Sequence, residues 1–244
     1  MGKDKLKRFQ ENNGFECLFQ PDFKEVFNNN YLMKGKWDLT YFKNGLPIVL
    51  ELGCGRGEYT VSLAQTFTNN NFIGVDIKGA RMWRGAKTVT EMSIPNAAFL
   101  RSRIEFINSV FDKDEVSEIW ITFPDPQIKK STKRLTSSFF LERYRGFIKE
   151  GGVIHLKTDS QFLHHYTKAL VEANNLEIIS CCDDIYGKNF ADSILSIKTR
   201  YEQMFLSKGM PITYLSFKLD NKRALVEPEF DVEPYKEAIN SLSL

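Results

Sequence analysis

The chain has 244 residues, of which 42% are hydrophobic and 26% are charged, and its formal net charge is +2. This length supports one substantial core, and so small a net charge requires that any attraction to a polyanion comes from local patches. No stretch approaches the roughly 20 apolar residues that cross a bilayer, so we expect no membrane span. The four cysteines form no CxxC pair and only three histidines are present, which predicts no metal site and a reducing, cytoplasmic environment.

Residues 1–45 are mixed in character, first basic and polar and then aromatic, and we predict an N-terminal extension of helices or loops. Their start, MGKDKLKRF, leads into no apolar run, which argues against a secretory signal. From Ile48 onward, short apolar runs alternate with segments of helical period, a pattern typical of βαβ units in a buried parallel sheet. The predicted strands are 48–52, 72–76, 97–100, 117–123, 152–158, 176–182 and 211–219, and the predicted helices include 58–67, 138–150 and 193–209.

These elements predict one α/β domain over residues 46–220, with a Rossmann-like fold. We expect a mostly parallel sheet of about seven strands, with helices on both faces. Residues 221–244 are acidic in balance and contain two prolines, so we predict a C-terminal surface appendage.

The segment LELGCGRGEYT (50–60) carries Gly53, Gly55 and Gly57 between a predicted strand and a predicted helix. Glycines permit positive φ and let a ligand approach the backbone, and open α/β sheets bind ligands at the carboxyl ends of their strands. A dinucleotide site has the spacing G-x-G-x-x-G, whereas the spacing here is G-x-G-x-G. A tight turn that binds no ligand is the alternative.

Acidic residues flank this glycine turn at Glu51 and Glu58. Carboxylates repel a pyrophosphate and attract a cationic ligand. S-adenosylmethionine fits better than a dinucleotide, because it carries a sulfonium and an ammonium group and no phosphate. The next predicted strand ends at Asp76, where a carboxylate can accept hydrogen bonds from both ribose hydroxyls.

The segment FPDPQIKKSTKR (123–134) follows the fourth predicted strand of this sheet. If the switch point of the sheet lies between its first and fourth predicted strands, this segment faces the same crevice as the glycine turn. Pro124 and Pro126 restrict the backbone around Asp125, whose carboxylate can accept a hydrogen bond from a nucleobase. The cations that follow, which can bind phosphates or form a solvated basic loop, are Lys129, Lys130, Lys133 and Arg134.

The residues from Asp125 to Ile128 resemble only in part the [DNS]PP[YFW] site of amino-methylating nucleic-acid enzymes. In that site an aromatic side chain stacks on the flipped base. Here the second proline and the aromatic residue are both missing. Methylation of an exocyclic amine is therefore disfavoured.

Several segments together resemble the bacterial tRNA (guanine-N7-)-methyltransferases, which modify a guanine in the variable loop. They are ELGCGRG, VD, FPDPxxKK, HLKTD and TRYE, and the similarity covers roughly residues 45–219. Many methyltransferases share the glycine motif, whereas FPDPxxKK combined with a late TRYE is specific. The resemblance implies a class I methyltransferase fold, S-adenosylmethionine as cofactor, tRNA as partner and a cytoplasmic location.

Carried over position by position, the resemblance implies a role for each matching residue. Glu51 and Asp76 hold the cofactor above the glycine turn, and Asp125 is the active-site acid. Lys129 and Asp159 contact the substrate. The residues that line the target-guanine pocket are Thr199, Arg200, Tyr201 and Glu202.

The chain departs from the family pattern at two positions. Gln127 stands where the family usually has Trp, so a stacking or packing element is missing or replaced. Arg103 stands where the family usually offers an Asp to the adenine amine; an arginine cannot accept that hydrogen bond, although it can stack on the ring. Adenine recognition then falls to Arg103, to backbone groups or to Glu105. Asp159, at the end of a predicted strand, can alternatively cap the helix that follows it.

We therefore predict an enzyme that transfers a methyl group from S-adenosylmethionine to guanine N7 in tRNA. Because N7 carries a lone pair and no proton, the reaction needs no general base, and the protein contributes chiefly position. Two alternatives are a methyltransferase acting on a small molecule and an inactive RNA-binding protein on the same scaffold. A nicotinamide oxidoreductase is disfavoured by the glycine spacing. The sequence does not decide between a monomer and a homodimer.

Overall fold

The structure, a computed structural model, describes residues 2–27, 31–220 and 223–235. Within these residues an eight-stranded sheet forms the centre of the fold. Its strands are β1 Leu18–Phe19, β2 Ile48–Leu52, β3 Asn71–Asp76, β4 Ala97–Arg101, β5 Val116–Thr122, β6 Ile148–Thr158, β7 Ile178–Cys182 and β8 Thr213–Leu219. They lie in the order β1-β4-β3-β2-β5-β6-β8-β7; β8 is antiparallel to both neighbours, and the other pairs are parallel. The predicted Rossmann-like sheet is confirmed.

Helices fill the connections between the strands. They are α1 Gly2–Asn12, α2 Phe23–Phe27, α3 Glu58–Thr66, α4 Gly79–Glu91, α5 Ser138–Arg145, α6 Gln161–Ala173 and α7 Arg200–Ser207. A π-helical segment covers Trp37–Phe42, and short 3-10 segments cover Ile104–Ser109, Ser131–Lys133 and Glu233–Tyr235. Among the described residues, no helix combines the length and apolar character that spanning a membrane requires.

The central strand β2 shows why the sheet forms. All of its residues are buried, as expected for a parallel strand that is covered on both faces. Leu50 and Leu52 pack into the core on one face, whereas Val49 packs into the core on the other. Burying each such side chain stabilises the fold by roughly 1.5–3 kcal/mol. The one acidic residue of the strand, Glu51, is buried with them.

Two predicted helices are shorter than the sequence pattern suggested. The predicted helix 138–150 ends at Arg145, because strand β6 already begins at Ile148. The predicted helix 193–209 is helical only over Arg200–Ser207. In the segment before it, the side chain of Asp192 accepts hydrogen bonds from backbone N–H groups and holds an irregular turn instead.

The segments outside residues 46–220 pack against the central sheet where they are described. Strand β1 pairs with β4, and the indole of Trp37 is buried and donates a hydrogen bond to the Val110 carbonyl at 2.9 Å. Near the C-terminus, the carboxylate of Glu227 accepts hydrogen bonds from Ser138 and Tyr166. The predicted extension 1–45 and appendage 221–244 lie partly outside the described residues, and the domain boundaries stay a prediction.

The strand order places the predicted site. Strand β2 lies between β3 and β5, all three are parallel, and the chain order of the strands reverses between β2 and β5. Their carboxyl ends therefore share one edge of the sheet, at the point where open α/β sheets bind ligands. This edge carries the glycine turn, Asp76 and the segment 123–134, as the sequence predicts.

Candidate active site

The glycine turn has the backbone that its sequence predicts. The φ angles of Gly53, Gly55 and Gly57 are 79°, 56° and 72°, a region that L-residues with a side chain rarely adopt. A Cβ atom added at Gly57 would collide with the ring of Phe99, so this glycine is needed for packing. A Cβ atom at Gly53 would meet nothing within 4 Å, so the upper part of the turn is open to a ligand.

Asp76 closes the turn from the tip of strand β3. One carboxylate oxygen accepts a hydrogen bond from the Gly55 N–H at 2.9 Å, and the other accepts one from the Lys78 N–H at 2.7 Å. The side chain is only partly buried, and a carboxylate has further lone pairs that ribose hydroxyls can use. The geometry fits the predicted cofactor contact of Asp76, which stays a prediction.

Glu51 lies beneath the turn rather than beside it. Its side chain accepts hydrogen bonds from the backbone and hydroxyl of Thr60 and, at 2.6 Å, from the hydroxyl of Thr122. Burial raises the pKa of Glu51 to about 7. The carboxylate thus joins the start of α3 to the end of β5. Its predicted cofactor contact stays a prediction, and its two threonine partners have no local signal in the sequence.

The loop after strand β5 holds Asp125 at the same edge. Phe123 and Gln127, on either side of Pro124 and Pro126, have left-handed φ angles of 49° and 47°. Asp125 is exposed, and one of its carboxylate oxygens accepts a hydrogen bond from the Gln127 N–H at 3.1 Å. The second oxygen is therefore available to a ligand in this arrangement.

The four predicted phosphate ligands of this loop fall into two groups. Lys129, Lys130 and Lys133 are exposed and can reach a polyanion. Arg134 is only 4% exposed, and its guanidinium donates hydrogen bonds to the carbonyls of Gln127 at 3.3 Å and Ile128 at 2.9 Å. Arg134 is therefore placed to hold the loop that carries the lysines. Its predicted direct contact with a phosphate stays a prediction.

The surroundings of Arg134 include the C-terminal segment. The guanidinium lies over the rings of Phe162 at 4.8 Å and Tyr166 at 4.2 Å, measured to the ring centroids. The Tyr166 hydroxyl donates a hydrogen bond to Glu227 at 2.6 Å, and Phe230 packs edge-on against the same two rings. The segment predicted as a surface appendage thus supports the residue that holds the candidate active-site loop.

A buried ion pair that was not predicted from the sequence joins strand β6 to the start of helix α7. Lys157, on strand β6, lies 2.8 Å from Glu202, and both side chains are fully buried. The Lys157 ammonium also donates hydrogen bonds to the carbonyls of Leu195 at 2.7 Å and Ile197 at 2.9 Å, and Tyr186 donates one to Glu202 at 2.6 Å. Burial lowers the pKa of Lys157. The HLKTD motif contained the signal: a lysine inside a buried strand requires a partner.

The TRYE segment combines two buried residues at its ends with two accessible residues between them. Thr199 and Glu202 form a capping box at the start of α7, in which each side chain bonds the backbone of the other. Both are buried. Their predicted place in the lining of a guanine pocket stays a prediction. Arg200 and Tyr201, between them, are exposed and can still contact a substrate.

The two remaining predicted residues lie at the same edge of the sheet. Ser160 caps helix α6 by accepting a hydrogen bond from the Leu163 N–H, so the alternative capping role of Asp159 is wrong. Asp159 is half-buried, and burial raises its pKa. Arg103 follows the end of strand β4 and is exposed. Their predicted contacts with substrate and cofactor stay predictions.

No group of three or more His, Cys, Asp or Glu side chains that could hold a metal ion occurs among the described residues. The candidate site is instead built from glycines, carboxylates and a cationic loop. These groups suit a cationic organic cofactor beside a polyanionic substrate.

The strand order and the ligand-binding edge together define a class I methyltransferase fold. The solved structure of the 16S rRNA methyltransferase KamB superposes with a TM-score of 0.58 over 77% of this chain and 95% of that chain. The antibiotic-resistance methyltransferase Kmr superposes with a TM-score of 0.53 over 76% and 93%. Sequence identities of 12% and 17% limit this likeness to the fold.

Within that class, the chain belongs to the tRNA (guanine-N(7)-)-methyltransferase family. A family model described as "Putative methyltransferase" matches residues 46–215. The relative of that name from Bacteroides thetaiotaomicron is 51% identical over 97% of this chain and 94% of its own length. Those from Christiangramia forsetii and Clostridium novyi are 53% and 34% identical, over 89% and 84% of this chain and 98% and 94% of theirs.

Proposed function

We propose that this protein transfers a methyl group from S-adenosylmethionine to N7 of a guanine in the variable loop of tRNA, in the cytoplasm. One observation carries the proposal. The glycine turn and the Asp125 loop leave the adjacent strands β2 and β5 at one edge, where the hydrogen bond between Thr122 and Glu51 joins them. The names of relatives that share about half of this sequence support the choice of substrate.

The residues of the turn fit S-adenosylmethionine. The open space at Gly53 admits a ligand against the backbone, and Asp76 offers carboxylate oxygens to the ribose hydroxyls. When bound, the cofactor supplies an electrophilic methyl carbon on a positively charged sulfur. The carboxylates at the rim of the turn, Glu58 and Asp76, favour such a cation over a pyrophosphate.

The reaction needs alignment more than acid or base chemistry. The N7 lone pair forms the new bond to the methyl carbon while the bond from carbon to sulfur breaks, and its electrons stay on sulfur. The positive charge passes from sulfur to the purine, and no proton moves. Holding the two reactants in line can contribute up to roughly 7–11 kcal/mol to lowering the barrier.

Asp125 is the residue placed to favour the charged purine. A carboxylate fixed beside developing positive charge stabilises it in the transition state. Glu202, an acid predicted to line the guanine pocket, is less suited to this role, because Lys157 neutralises it inside the protein at 2.8 Å. The exposed oxygen of Asp125 is free of such a partner within the described residues.

The exposed lysines of the same loop orient the substrate. Lys129, Lys130 and Lys133 lie within a few residues of Asp125, so phosphates bound by them bring a nucleotide to the crevice. Arg134 holds the loop from inside the protein by bonding the carbonyls of residues 127 and 128. The loop thus combines a backbone held by Arg134 with exposed cationic side chains.

The test is methylation of unmodified tRNA with radiolabelled cofactor, followed by aniline cleavage at N7-methylated guanines to locate the product. Asp125→Asn keeps the loop geometry and removes the charge, so we expect turnover to fall roughly 10²-fold with cofactor affinity nearly unchanged. Glu172→Gln, an exposed change near the C-terminal end of α6, serves as the control.

Two results would contradict this assignment. Absence of product from the wild-type chain would rule out the activity and favour an inactive RNA-binding scaffold or another substrate. An equal loss of turnover and cofactor affinity in Asp125→Asn would move Asp125 from the substrate to the cofactor site.

A further inference from the structure

A large cavity lies outside the crevice described above. Its volume is about 610 Å³, and it is bordered by helices α1, α4 and α7 and by the glycine turn. Five arginines line it: Arg8, Arg56, Arg81, Arg84 and Arg200. We call this cavity the arginine basin. Among these five arginines, only Arg200 carries a prediction from the sequence.

Among the described residues, few acidic side chains neutralise the positive charge of the basin. Two acids stand at its border, and each is engaged: Glu11 accepts a hydrogen bond from the indole of Trp83, and Glu58 accepts one from the Arg200 N–H at 2.8 Å. Within the described residues, Arg56 has an ion-pair contact, with Glu58 at 4.0 Å, whereas Arg81 and Arg84 have none. Cations gathered in this way attract an anionic ligand.

The basin also offers aromatic surfaces. The Arg8 guanidinium lies 4.9 Å and the Lys87 ammonium 5.1 Å from the centroid of the Trp83 ring. Tyr201 is 45% exposed at the mouth of the basin. Aromatic rings interleaved with cations are the pattern by which proteins hold single-stranded nucleic acid, the rings stacking on bases and the cations binding phosphates.

The basin adjoins the candidate active site directly. Arg56 belongs to the glycine turn that is predicted to hold the cofactor, and Arg200 and Tyr201 begin helix α7. The hydrogen bond from the Arg200 N–H to Glu58 ties the start of α7 to the start of α3. A nucleic acid placed with one base in the crevice would therefore continue over the basin.

We propose that the arginine basin binds the phosphodiester backbone of the tRNA next to the target guanine, with Tyr201 stacking on a neighbouring base. This inference rests on the proposed function and extends the RNA-binding surface beyond the lysines of the Asp125 loop. One phosphate can occupy two guanidinium groups, so five arginines around about 610 Å³ match a run of phosphates better than a single small anion. A sequence-independent contact of this kind positions the substrate without reading its bases.

The test compares the Kd for unmodified tRNA and its salt dependence between the wild type and Arg81→Ala/Arg84→Ala. Both arginines are exposed, so we expect the fold to survive, with an unchanged melting temperature. We expect the Kd at low salt to rise roughly tenfold and the slope of log Kd against log salt to fall by roughly 1–2. The affinity for S-adenosylmethionine should not change.

Two matched variants control for charge. Arg81→Lys/Arg84→Lys keeps the charge and should restore most of the salt slope. Lys113→Ala/Lys149→Ala removes two exposed charges just before strand β5 and at the start of strand β6, at the opposite edge of the sheet, and should leave tRNA binding unchanged.

The outcomes separate this inference from the proposed function. If the alanine variant matches the wild type in Kd and salt slope, the basin is not an RNA site, even when the wild type methylates tRNA. If the wild type binds tRNA through the basin but makes no N7-methylguanine, the proposed reaction fails and the basin stands. If an acidic polypeptide such as polyglutamate, but not tRNA, competes for the basin, its partner is a protein and the inference is overturned.

Discussion

The two sides of the crevice are built in different ways. On the cofactor side, the carboxylates of Glu51 and Asp76 already accept hydrogen bonds from the protein, from two threonines and from backbone N–H groups. On the substrate side, the lysines of the Asp125 loop and the first residues of α7 are exposed. The cofactor side is therefore held by contacts within the protein, whereas the substrate side presents exposed charge.

This difference shows that a charged motif contains two kinds of residue. In the Asp125 loop, Arg134 is buried and holds the backbone from which the lysines project. In the TRYE segment, Glu202 is buried against Lys157, and Arg200 and Tyr201 project from the helix that it caps. In both motifs the exposed charges depend on buried charges of the same motif for their position.

Lys157→Met is the strongest test of that dependence. It leaves Glu202 buried without its partner, so we expect the free energy of unfolding to fall by about 3–5 kcal/mol. Chemical denaturation, followed by tryptophan fluorescence, measures the change. We also expect tRNA binding to weaken, because the carbonyls of residues 195 and 197 lose their donor and the start of α7 loses its anchor.

The double variant Lys157→Met/Glu202→Leu provides the matched control. It removes both charges, so it should recover most of the lost stability. The pair would not have the anchoring role assigned to it if the single variant were as stable as the wild type. If the double variant were stable and bound tRNA normally, the ion pair would have no role in positioning the substrate side.

Gly57→Ala tests the cofactor side. The φ of 72° and the collision with the Phe99 ring should together lower the free energy of unfolding by about 3 kcal/mol. Gly53→Ala is the control: it has a similar φ of 79° but open space, so about 1 kcal/mol is expected. Calorimetry with S-adenosylmethionine should show weaker binding for both. Equal stability of the two variants would contradict the packing role of Gly57.

Much of the fold could be predicted because it follows from local patterns. The glycines at positions 53–57 and the short apolar runs define the strand-turn-helix units, and right-handed connections leave few ways to arrange them. The helix predicted over residues 193–209 was too long, because its periodicity hid a turn held by Asp192 and Lys157. Such contacts between distant residues have no local signal.

The same limit applies to the candidate site. Motifs identified the right edge of the sheet and the right segments, but residue type does not tell whether a side chain points outward. Arg134 and Lys130 are both basic residues of one loop. Of these two, only Arg134 is buried, because its guanidinium packs on the rings of Phe162 and Tyr166 of α6. The arginine basin was missed for a related reason: its arginines come from segments far apart in the chain.

The free energy of unfolding should depend on pH through the buried carboxyl group of Glu51, on the cofactor side. The pKa of Glu51 rises from 4.5 to about 7 on folding, so the folded state retains its proton more tightly than the unfolded state. Between these values the unfolded chain ionises first, and the free energy of unfolding falls as the pH rises, by about 3 kcal/mol. Denaturation curves measured across this pH range should show no such fall in the free energy of unfolding for Glu51→Gln. Identical slopes in the two proteins would show that Glu51 does not retain its proton.

The smallest effect is expected on the substrate side, for Lys129→Ala/Lys130→Ala. Both lysines are exposed, so the free energy of unfolding should change by less than about 0.5 kcal/mol. The KM for tRNA should rise roughly tenfold, with a flatter salt dependence, because two phosphate contacts are lost. Arg134→Met also removes positive charge from the loop, but it should lower the melting temperature and turnover while the salt dependence changes little. If Arg134→Met flattened the salt dependence as much as the lysine variant and left stability intact, Arg134 would be a phosphate ligand, and the distinction between buried and exposed charge in this loop would be wrong.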